Sequence, residues 1–282
     1  MADIVYQNFQ FSTPFLRGYK ELRIPVLNSH GISAWPELFP LEKIEEMRDI
    51  VGPRHFSSQM MLEYVSEDKA RLDPGALHFY DYNFDSNNAK LGDDLITGAA
   101  MYWDPSGGMA KSDNSVCVLI YRDDRNRRIF IQDVKYLTVD DNDFHPLATQ
   151  CESILNFMQV HNQKKIAIEV NGMGNALPEI LREAAMKRGQ SVLVQKIVSN
   201  LNKEKRILNA IEPLLTTGRL YAHEKIKSTP LLSEMLGWSP LMSNNQDDGL
   251  DALAGAMQLQ PTIIRTLSSK LRPLKAKIDF KV

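Results

Sequence analysis

The chain has 282 residues, of which 43% are hydrophobic and 24% are charged, and its formal net charge at pH 7 is −2. This composition is ordinary for a globular protein of one or two domains. No run of about 18 apolar residues occurs, and no basic stretch followed by an apolar core opens the sequence, so we expect neither a membrane span nor a secretion signal.

Missing motifs exclude several kinds of site. The only cysteines are Cys117 and Cys151, which lie in apolar patterns and are expected to be buried free thiols in a reducing compartment. Neither CxxC nor HExxH occurs, which argues against a structural zinc site or a zinc protease. GxxxxGK[ST] is also absent, so the phosphate-binding loop of a P-loop ATPase is not present in this sequence.

Residues 1–90 are predicted to form an irregular N-terminal extension, because six prolines between positions 14 and 74 keep regular elements short. One helix is predicted over residues 40–51, where Leu41, Ile44, Met47 and Ile50 share a face. A second short helix is expected over residues 55–62. The polar stretch at residues 85–90 is interpreted as a linker to the main domain.

Residues 91–260 are predicted to form one domain. Strands are expected over residues 95–103, 116–121, 129–136, 165–170 and 191–198, and helices over residues 146–161, 175–188, 203–217, 230–236 and 248–259. The polar stretch at residues 122–128 is typical of a hairpin turn between the second and third strands. This order predicts an α/β fold, a mixed sheet with helices on both faces. Residues 261–282 form a basic C-terminal tail.

Acidic residues follow two of these strands and begin the last helix. Asp104 ends an apolar run just before Pro-Ser-Gly-Gly, and Glu169 ends the fourth strand. Asp248 and Asp251 are spaced i,i+3 and can share one helix face, as can Asp247 and Asp251 at i,i+4. Carboxylates are preferred ligands of Mg²⁺ and Mn²⁺, so the sequence predicts a metal centre. It does not decide between Asp247 and Asp248 as a direct ligand, although we favour Asp248.

Each acidic site also has a simpler explanation. Acids in the first turn of a helix offset its dipole, and an aspartate before Pro-Ser-Gly is often a turn residue. Glu169 is harder to explain in this way, because a charge inside an apolar strand needs a partner. The metal-centre interpretation therefore depends on all three sites occurring together.

With these motifs the chain resembles the nuclease domain of the large terminase subunit of tailed bacteriophages, an RNase H-like, RuvC-related fold. The resemblance covers about residues 95–260, and residues 35–62 resemble the family's link between its ATPase and nuclease halves. The matching pieces are Trp103-Asp-Pro-Ser-Gly-Gly, Lys111-Ser-Asp-Asn-Ser, Ile168-Glu-Val-Asn-Gly-Met-Gly and Asp247-Asp-Gly-Leu-Asp-Ala-Leu-Ala. Two features depart from the family: the ATPase motor is missing, and Gln246 stands where a histidine is common.

The resemblance implies a metal-dependent DNA endonuclease that uses two divalent cations, Mg²⁺ or Mn²⁺. Asp104, Glu169 and Asp248 would be catalytic, with Asp104 bridging both ions, Glu169 binding one, and Asp248 together with Asp247 or Asp251 completing the centre. Asp113 would be a peripheral acid. The implied activity is cleavage of concatemeric viral DNA during packaging, in the cytoplasm of the infected bacterial host.

Double-stranded DNA is the expected partner, and a separate ATPase motor, the small terminase subunit and the capsid portal are further candidates. Positive side chains that could contact the DNA backbone are Lys111, Arg125, Arg127, Arg128, Lys203, Lys205, Arg206 and the basic tail. Two alternatives stay open. The first is a RuvC-like resolvase, which predicts a preference for branched DNA and a functional dimer. The second is an inactive capsid or portal docking module with the same fold.

Overall fold

A computed structural model describes residues 24–28, 30–51, 53–62, 72–106, 114–140, 142–171, 175–199, 202–240 and 245–264. The chain divides into two compact units, Met1–Glu67 and Asp68–Val282. The second unit begins well before residue 91, the predicted start of the main domain. The physical reason is the short strand His78–Tyr80, which pairs within the central sheet.

The described residues of the first unit form two helices, α1 at Leu41–Val51 and α2 at Pro53–Gln59. Helix α1 confirms the helix predicted for residues 40–51. Of the apolar side chains predicted to share its face, only Ile44 is buried, whereas Leu41 and Ile50 are more than half exposed. The periodicity therefore identified the helix correctly but overstated how much of its apolar face is covered within the described residues.

The second unit is a mixed α/β domain. Its helices are α3 at Pro146–Val160, α4 at Leu177–Lys187, α5 at Lys203–Thr216, α6 at Leu231–Gly237 and α7 at Asp248–Gln258. Its longer strands are β5 at Gly98–Asp104, β6 at Ser115–Asp123, β7 at Arg128–Leu137, β8 at Lys165–Glu169 and β9 at Leu193–Ile197. Its shorter strands are β1 at His78–Tyr80, β2 at Phe84–Asp85, β3 at Lys90–Leu91, β4 at Asp94–Leu95, β10 at Leu220–His223 and β11 at Thr262–Ile263. In the described part of the chain, no helix is long and apolar enough to cross a membrane.

The central sheet has the strand order β1-β10-β7-β6-β5-β8-β9, with β11 also paired to β5. Strands β5, β6 and β7 form an antiparallel meander, and the predicted hairpin turn joins β6 to β7. Strands β8, β9, β10 and β1 are added in parallel pairings. The predicted mixed sheet is thus confirmed.

Helices cover both faces of the sheet, as predicted. Successive strand residues point to opposite faces, so Tyr102 belongs to the core beneath α5, α6 and α7. Its neighbours Met101 and Trp103 belong to the core beneath α3 and α4. The strands of the meander are buried almost throughout, which explains their continuous apolar sequences.

Several short strands were not predicted. Strands β1 and β10 have only three and four residues, too few for a clear periodic pattern. The polar stretch interpreted as a linker at residues 85–90 instead lies in a small three-stranded sheet, in the order β2-β3-β4. Its strands have two residues each, and their turns account for the polar sequence.

Gly255 lies where α7 packs directly on β5. A Cβ atom at this position would lie 2.5 Å from both Cε1 and Cζ of Tyr102, whose side chain is fully buried. We expect Gly255→Ala to lower the free energy of unfolding by about 1–3 kcal/mol through overpacking. Urea denaturation measures this change. Gly237→Ala is the matched control, because a Cβ there meets no atom within 4 Å, and equal effects of the two substitutions would contradict the argument.

Candidate active site

The ends of two neighbouring strands bring the first two predicted acids together. Strands β5 and β8 run in parallel, with Trp103 paired to Ile168. One residue further along each strand places Asp104 beside Glu169. Because side chains alternate between faces, both acids point to the face that carries α5 and α7, the same face as Tyr102.

Helix α7 supplies the third predicted acidic site at this end of the sheet. Its residue Asp251 lies close enough to Asp104 and Glu169 for its charge to act on both. Asp248 lies one turn earlier on the helix. Its Oδ2 accepts two hydrogen bonds from Asn114, one from the backbone N–H at 2.8 Å and one from the side-chain Nδ2 at 3.1 Å. The structure therefore brings the three predicted sites into one cluster, which we call the carboxylate cluster: Asp104, Glu169, Asp247, Asp248 and Asp251.

Glu169 is held in place by three side chains. The Tyr102 hydroxyl donates to its Oε2 in a short hydrogen bond, and Asn171 Nδ2 donates to its Oε1 at 2.7 Å. Arg206 Nη1 also donates to Oε2, at 3.2 Å. These partners explain how a charged residue can occupy a nearly buried position at the end of an apolar strand.

Arg206 links the sheet to α7. Its Nε lies 2.8 Å and its Nη2 lies 2.5 Å from Asp251 Oδ1, while its Nη1 contacts Glu169 and the Ser199 hydroxyl. Arg206 and Asp251 are each only 6% exposed in their side chains. The guanidinium thus bridges two carboxylates that come from different elements, which fixes their separation.

Lys203 lies one helical turn before Arg206 on α5 and contacts the first turn of α7. Its Nζ is 2.7 Å from Asp247 Oδ1, 3.8 Å from Asp251 Oδ2 and 4.0 Å from Asp248 Oδ1. Burial disfavours the charged ammonium group, but the hydrogen bond to Asp247 and the surrounding negative charges outweigh it and raise the pKa of Lys203. The lysine therefore stays charged within the cluster.

Asp104 is strongly affected by the concentration of negative charge. Its pKa is raised to about 7, first because its carboxyl group is buried and then because Glu169 and Asp251 are nearby. Lys203 and Arg206 act in the opposite direction but do not cancel this effect. Burial likewise raises the pKa of Asp251, although its ion pair with Arg206 opposes the shift.

Two residues that the sequence analysis did not identify support the start of α7. Glu234 Oε1 accepts a hydrogen bond from the Tyr136 hydroxyl at 2.8 Å, and its Oε2 accepts one from the backbone N–H of Leu250 at 3.1 Å. Glu234 thus caps α7 from a neighbouring helix and helps to position Asp248. Burial raises the pKa of Glu234 to about 7. Its position in the middle of an apolar short helix is the one sequence signal that could have identified it.

The chemistry of the cluster fits a divalent cation. In the described part of the chain, no three Asp, Glu, His or Cys side chains are already arranged as ligands of one ion. The carboxylates instead contact the two cationic side chains of α5. Their oxygens are nevertheless the hard donors that Mg²⁺ and Mn²⁺ prefer. Added positive charge near Asp104 would relieve the repulsion that raises its pKa.

The residues predicted to contact DNA fall into separate places. Arg125, Arg127 and Arg128 lie at the turn between β6 and β7, at the opposite end of these strands from Asp104. At about 3.3 Å per residue, β6 separates this turn from the carboxylate cluster by roughly 25 Å.

Of the predicted DNA contacts on α5, Lys203 and Arg206 lie inside the cluster, paired with acids, whereas Lys205 is exposed on the same helix. Lys111, Asp113 and residues 265–282 of the predicted basic tail lie outside the described residues. The first residues of that predicted tail instead form β11, which pairs with β5.

Residues 103–220 match the family model for the ribonuclease H-like domain of the bacteriophage T7 terminase. The matched segment covers less than half of the chain. It contains Asp104, Glu169 and helix α5, and it ends before α7. No curated protein sequence matches the chain.

Solved nuclease structures are also similar, at low sequence identity. The P22 large terminase nuclease domain is 11% identical, with a TM-score of 0.48 over 67% of this chain and 91% of that chain. The human cytomegalovirus terminase nuclease domain, Mn-soaked and inhibitor-bound, is 13% identical, with a TM-score of 0.46 over 68% and 93% of the two chains. RuvC from T. thermophilus, in complex with a Holliday junction substrate, is 13% identical, with a TM-score of 0.35 over 56% and 90%.

Proposed function

We propose that this chain, which resembles terminase nuclease domains and matches their RNase H-like family model over residues 103–220, is a metal-dependent DNA endonuclease. Its proposed role is to cut concatemeric viral DNA during genome packaging, in the cytoplasm of an infected bacterial host. The observation that supports this most strongly is the carboxylate cluster, in which Asp104 and Glu169 from adjacent strand ends meet the acids of α7. The match to this family model supports phosphodiester hydrolysis as the reaction for which the cluster would bind metal ions.

We propose Asp104 and Glu169 as metal ligands from the resemblance to the family, and we choose the ligand from α7 by what the carboxylate oxygens of its three acids already contact. Both oxygens of Asp247 are engaged, one by Lys203 and the other by the indole Nε1 of Trp238 at 3.2 Å. Asp251 is tied to Arg206. Asp248 has the most exposed side chain of the three, at 17%, so we propose it as the ligand from α7, with Asp104 and Glu169 from the sheet.

In this proposal Asp104, Glu169 and Asp248 would hold two divalent cations, and Asp247 and Asp251 would support these ligands. Bound Mg²⁺ or Mn²⁺ would activate a water molecule and stabilise the attacking and leaving oxygens of the phosphodiester. The protein's own contribution is placement. Tyr102 and Asn171 hold Glu169, and the hydrogen bonds from Asn114 orient Asp248.

The packaging role also requires partners, and these are part of the proposal. Double-stranded DNA is the substrate, with the exposed lysine Lys205 on α5 as a candidate backbone contact near the cluster. A motor ATPase, the small terminase subunit and the capsid portal would deliver the DNA and determine when it is cut. The arginines at the β6–β7 turn are too far from the cluster to contact the phosphate being cut, so any DNA contact there would involve a distant part of the duplex.

Cleavage of supercoiled plasmid tests the proposal. We expect nicking and linearisation with Mn²⁺ or Mg²⁺ and none with EDTA. Glu169→Gln should reduce the rate roughly a thousandfold, because a metal centre supplies several kcal/mol of transition-state stabilisation. Glu179→Gln is the matched control, since Glu179 is a surface residue of α4 paired with Arg182.

A folded, pure protein that cuts no DNA with either metal would contradict the nuclease proposal for this chain and favour the docking module. Cleavage confined to four-way junctions, with plasmid and linear duplex left intact, would favour the resolvase alternative. Comparison of the three substrates under the same metal conditions therefore separates the candidate functions.

A further inference from the structure

The Lys203 ammonium group lies among the three carboxylates of α7. Its nitrogen is within 4.0 Å of an oxygen of Asp247, Asp248 and Asp251, and it makes a close ion pair only with Asp247. A compact positive charge surrounded by carboxylate oxygens from one helix face occupies the kind of position that a divalent cation would take.

The two cations of α5 differ in how firmly they are held. Arg206 is buried and uses several N–H groups in a fixed fork on Glu169, Asp251 and Ser199. Lys203 is 39% exposed in its side chain and has one short contact. A lysine is a point charge on a flexible stem, so it can leave a site that an arginine fork cannot leave without breaking several bonds.

We infer that Lys203 is an internal counter-ion that competes with the divalent cation for the carboxylates of α7, so that metal binding displaces its ammonium group. This inference rests on the proposed function. In the metal-free protein Lys203 screens the acids from one another, and on metal binding it swings towards solvent. Arg206 stays in place in both states and keeps Asp251 and Glu169 at a fixed separation.

The competition has a measurable consequence for metal affinity. Metal binding must break the ion pairs of Lys203, and the free energy needed to break them lowers the affinity for the metal. Removal of the lysine charge should therefore tighten the binding of Mn²⁺ by about three- to tenfold. The same substitution should lower the Tm of the metal-free protein, because the acids of α7 then repel one another. Opposite changes in metal affinity and metal-free stability distinguish a competitor from a residue that merely supports the fold.

Isothermal titration with MnCl₂ and electron paramagnetic resonance of free Mn²⁺ measure the affinity without DNA cleavage. The variants are Lys203→Gln, the charge-retaining Lys203→Arg, and Lys205→Gln as the matched control. Lys205 is on the same helix, is exposed, and has the same charge. We expect tighter binding only in Lys203→Gln. Circular dichroism confirms that each variant is folded, which is expected because the Lys203 side chain reaches the surface.

The outcomes separate this inference from the proposed function. If the wild type binds Mn²⁺ and Lys203→Gln binds it no more tightly than Lys205→Gln, the inference is wrong and the metal centre stands. If neither the wild type nor Lys203→Gln binds Mn²⁺ at millimolar concentration, the metal centre and the inference fail together. Tighter binding in Lys203→Arg would also overturn the inference, since the competing charge is still present in that variant.

Discussion

Replacing Asp104 with asparagine is expected to abolish metal-dependent DNA cleavage and, at the same time, to raise the Tm of the metal-free protein. Cleavage is lost because an amide is a poor substitute for the charged oxygen ligand between two cations. Stability increases because the wild-type carboxylate is buried beside Glu169 and Asp251, and this raises its pKa to about 7. The neutral amide removes that repulsion.

The gain in stability should depend on pH. The carboxyl group of Asp104 ordinarily loses its proton near pH 3.8, but in the folded protein it keeps the proton until about pH 7. Between these values the folded state binds more protons than the unfolded state, so the wild type loses stability as the pH rises. We expect Asp104→Asn to raise the Tm by several degrees at pH 8, where the wild-type carboxyl group is ionised, and to change it little near pH 4, where that group is protonated in the folded protein.

Differential scanning calorimetry in EDTA at several pH values, together with plasmid cleavage in Mn²⁺, tests both parts. Asp93→Asn is the control, because Asp93 is an exposed carboxylate in the turn between β3 and β4. That variant should match the wild type in both assays. A lower Tm for Asp104→Asn at pH 8, or cleavage at the wild-type rate, would contradict the assignment of Asp104.

Replacing Arg206 with methionine is expected to lower the free energy of unfolding of the metal-free protein by about 3–5 kcal/mol. Methionine keeps much of the volume of the side chain but removes the cation that pairs with Asp251 and Glu169. Both acids would then be buried without their main counter-ion, which is far more costly than the loss of a surface ion pair. Added Mn²⁺ should restore part of the stability by neutralising the same carboxylates.

Urea denaturation with EDTA and with Mn²⁺ measures both effects of Arg206→Met. The control is Arg182→Met, which breaks an exposed ion pair with Glu179 at 2.7 Å and should cost no more than about 1 kcal/mol. A comparably small cost for Arg206→Met would show that the bridge between β8 and α7 contributes little. Absence of any Mn²⁺ effect in the variant would show that the metal does not reach these acids.

The sequence predicted the parts of the fold that have a clear pattern. Strands β5, β6, β7 and β8 are long or continuously apolar, and helices α3, α5 and α7 have polar and apolar faces, so their approximate bounds followed from periodicity. Strands β1 and β10 could not be predicted in this way. Their pairing joins segments more than 140 residues apart, and such short strands are defined by the neighbour rather than by their own residues.

The acids of the candidate site were identifiable because their positions are local features, at a strand end or in the first turn of a helix. Their partners were not. Lys203 and Arg206 were predicted as DNA contacts, because an enzyme that cuts duplex DNA should present positive charge to the phosphate backbone. The structure instead turns both residues towards α7, so that two cations spaced i,i+3 pair with two acids spaced i,i+4, Asp247 and Asp251, on another helix. Which two helix faces meet is a property of the tertiary fold alone.

The position of α7 in the chain has a consequence for biosynthesis. Asp104 and Glu169 are on strands that a ribosome synthesises well before it reaches the acids of α7, the helix whose Gly255 packs on Tyr102. A nascent chain therefore contains most of the sheet while it still lacks the helical half of the carboxylate cluster. Under the proposed function, a translation product that ends before α7 would have Asp104 and Glu169 but not the acids of the helix, and we expect it not to cut DNA.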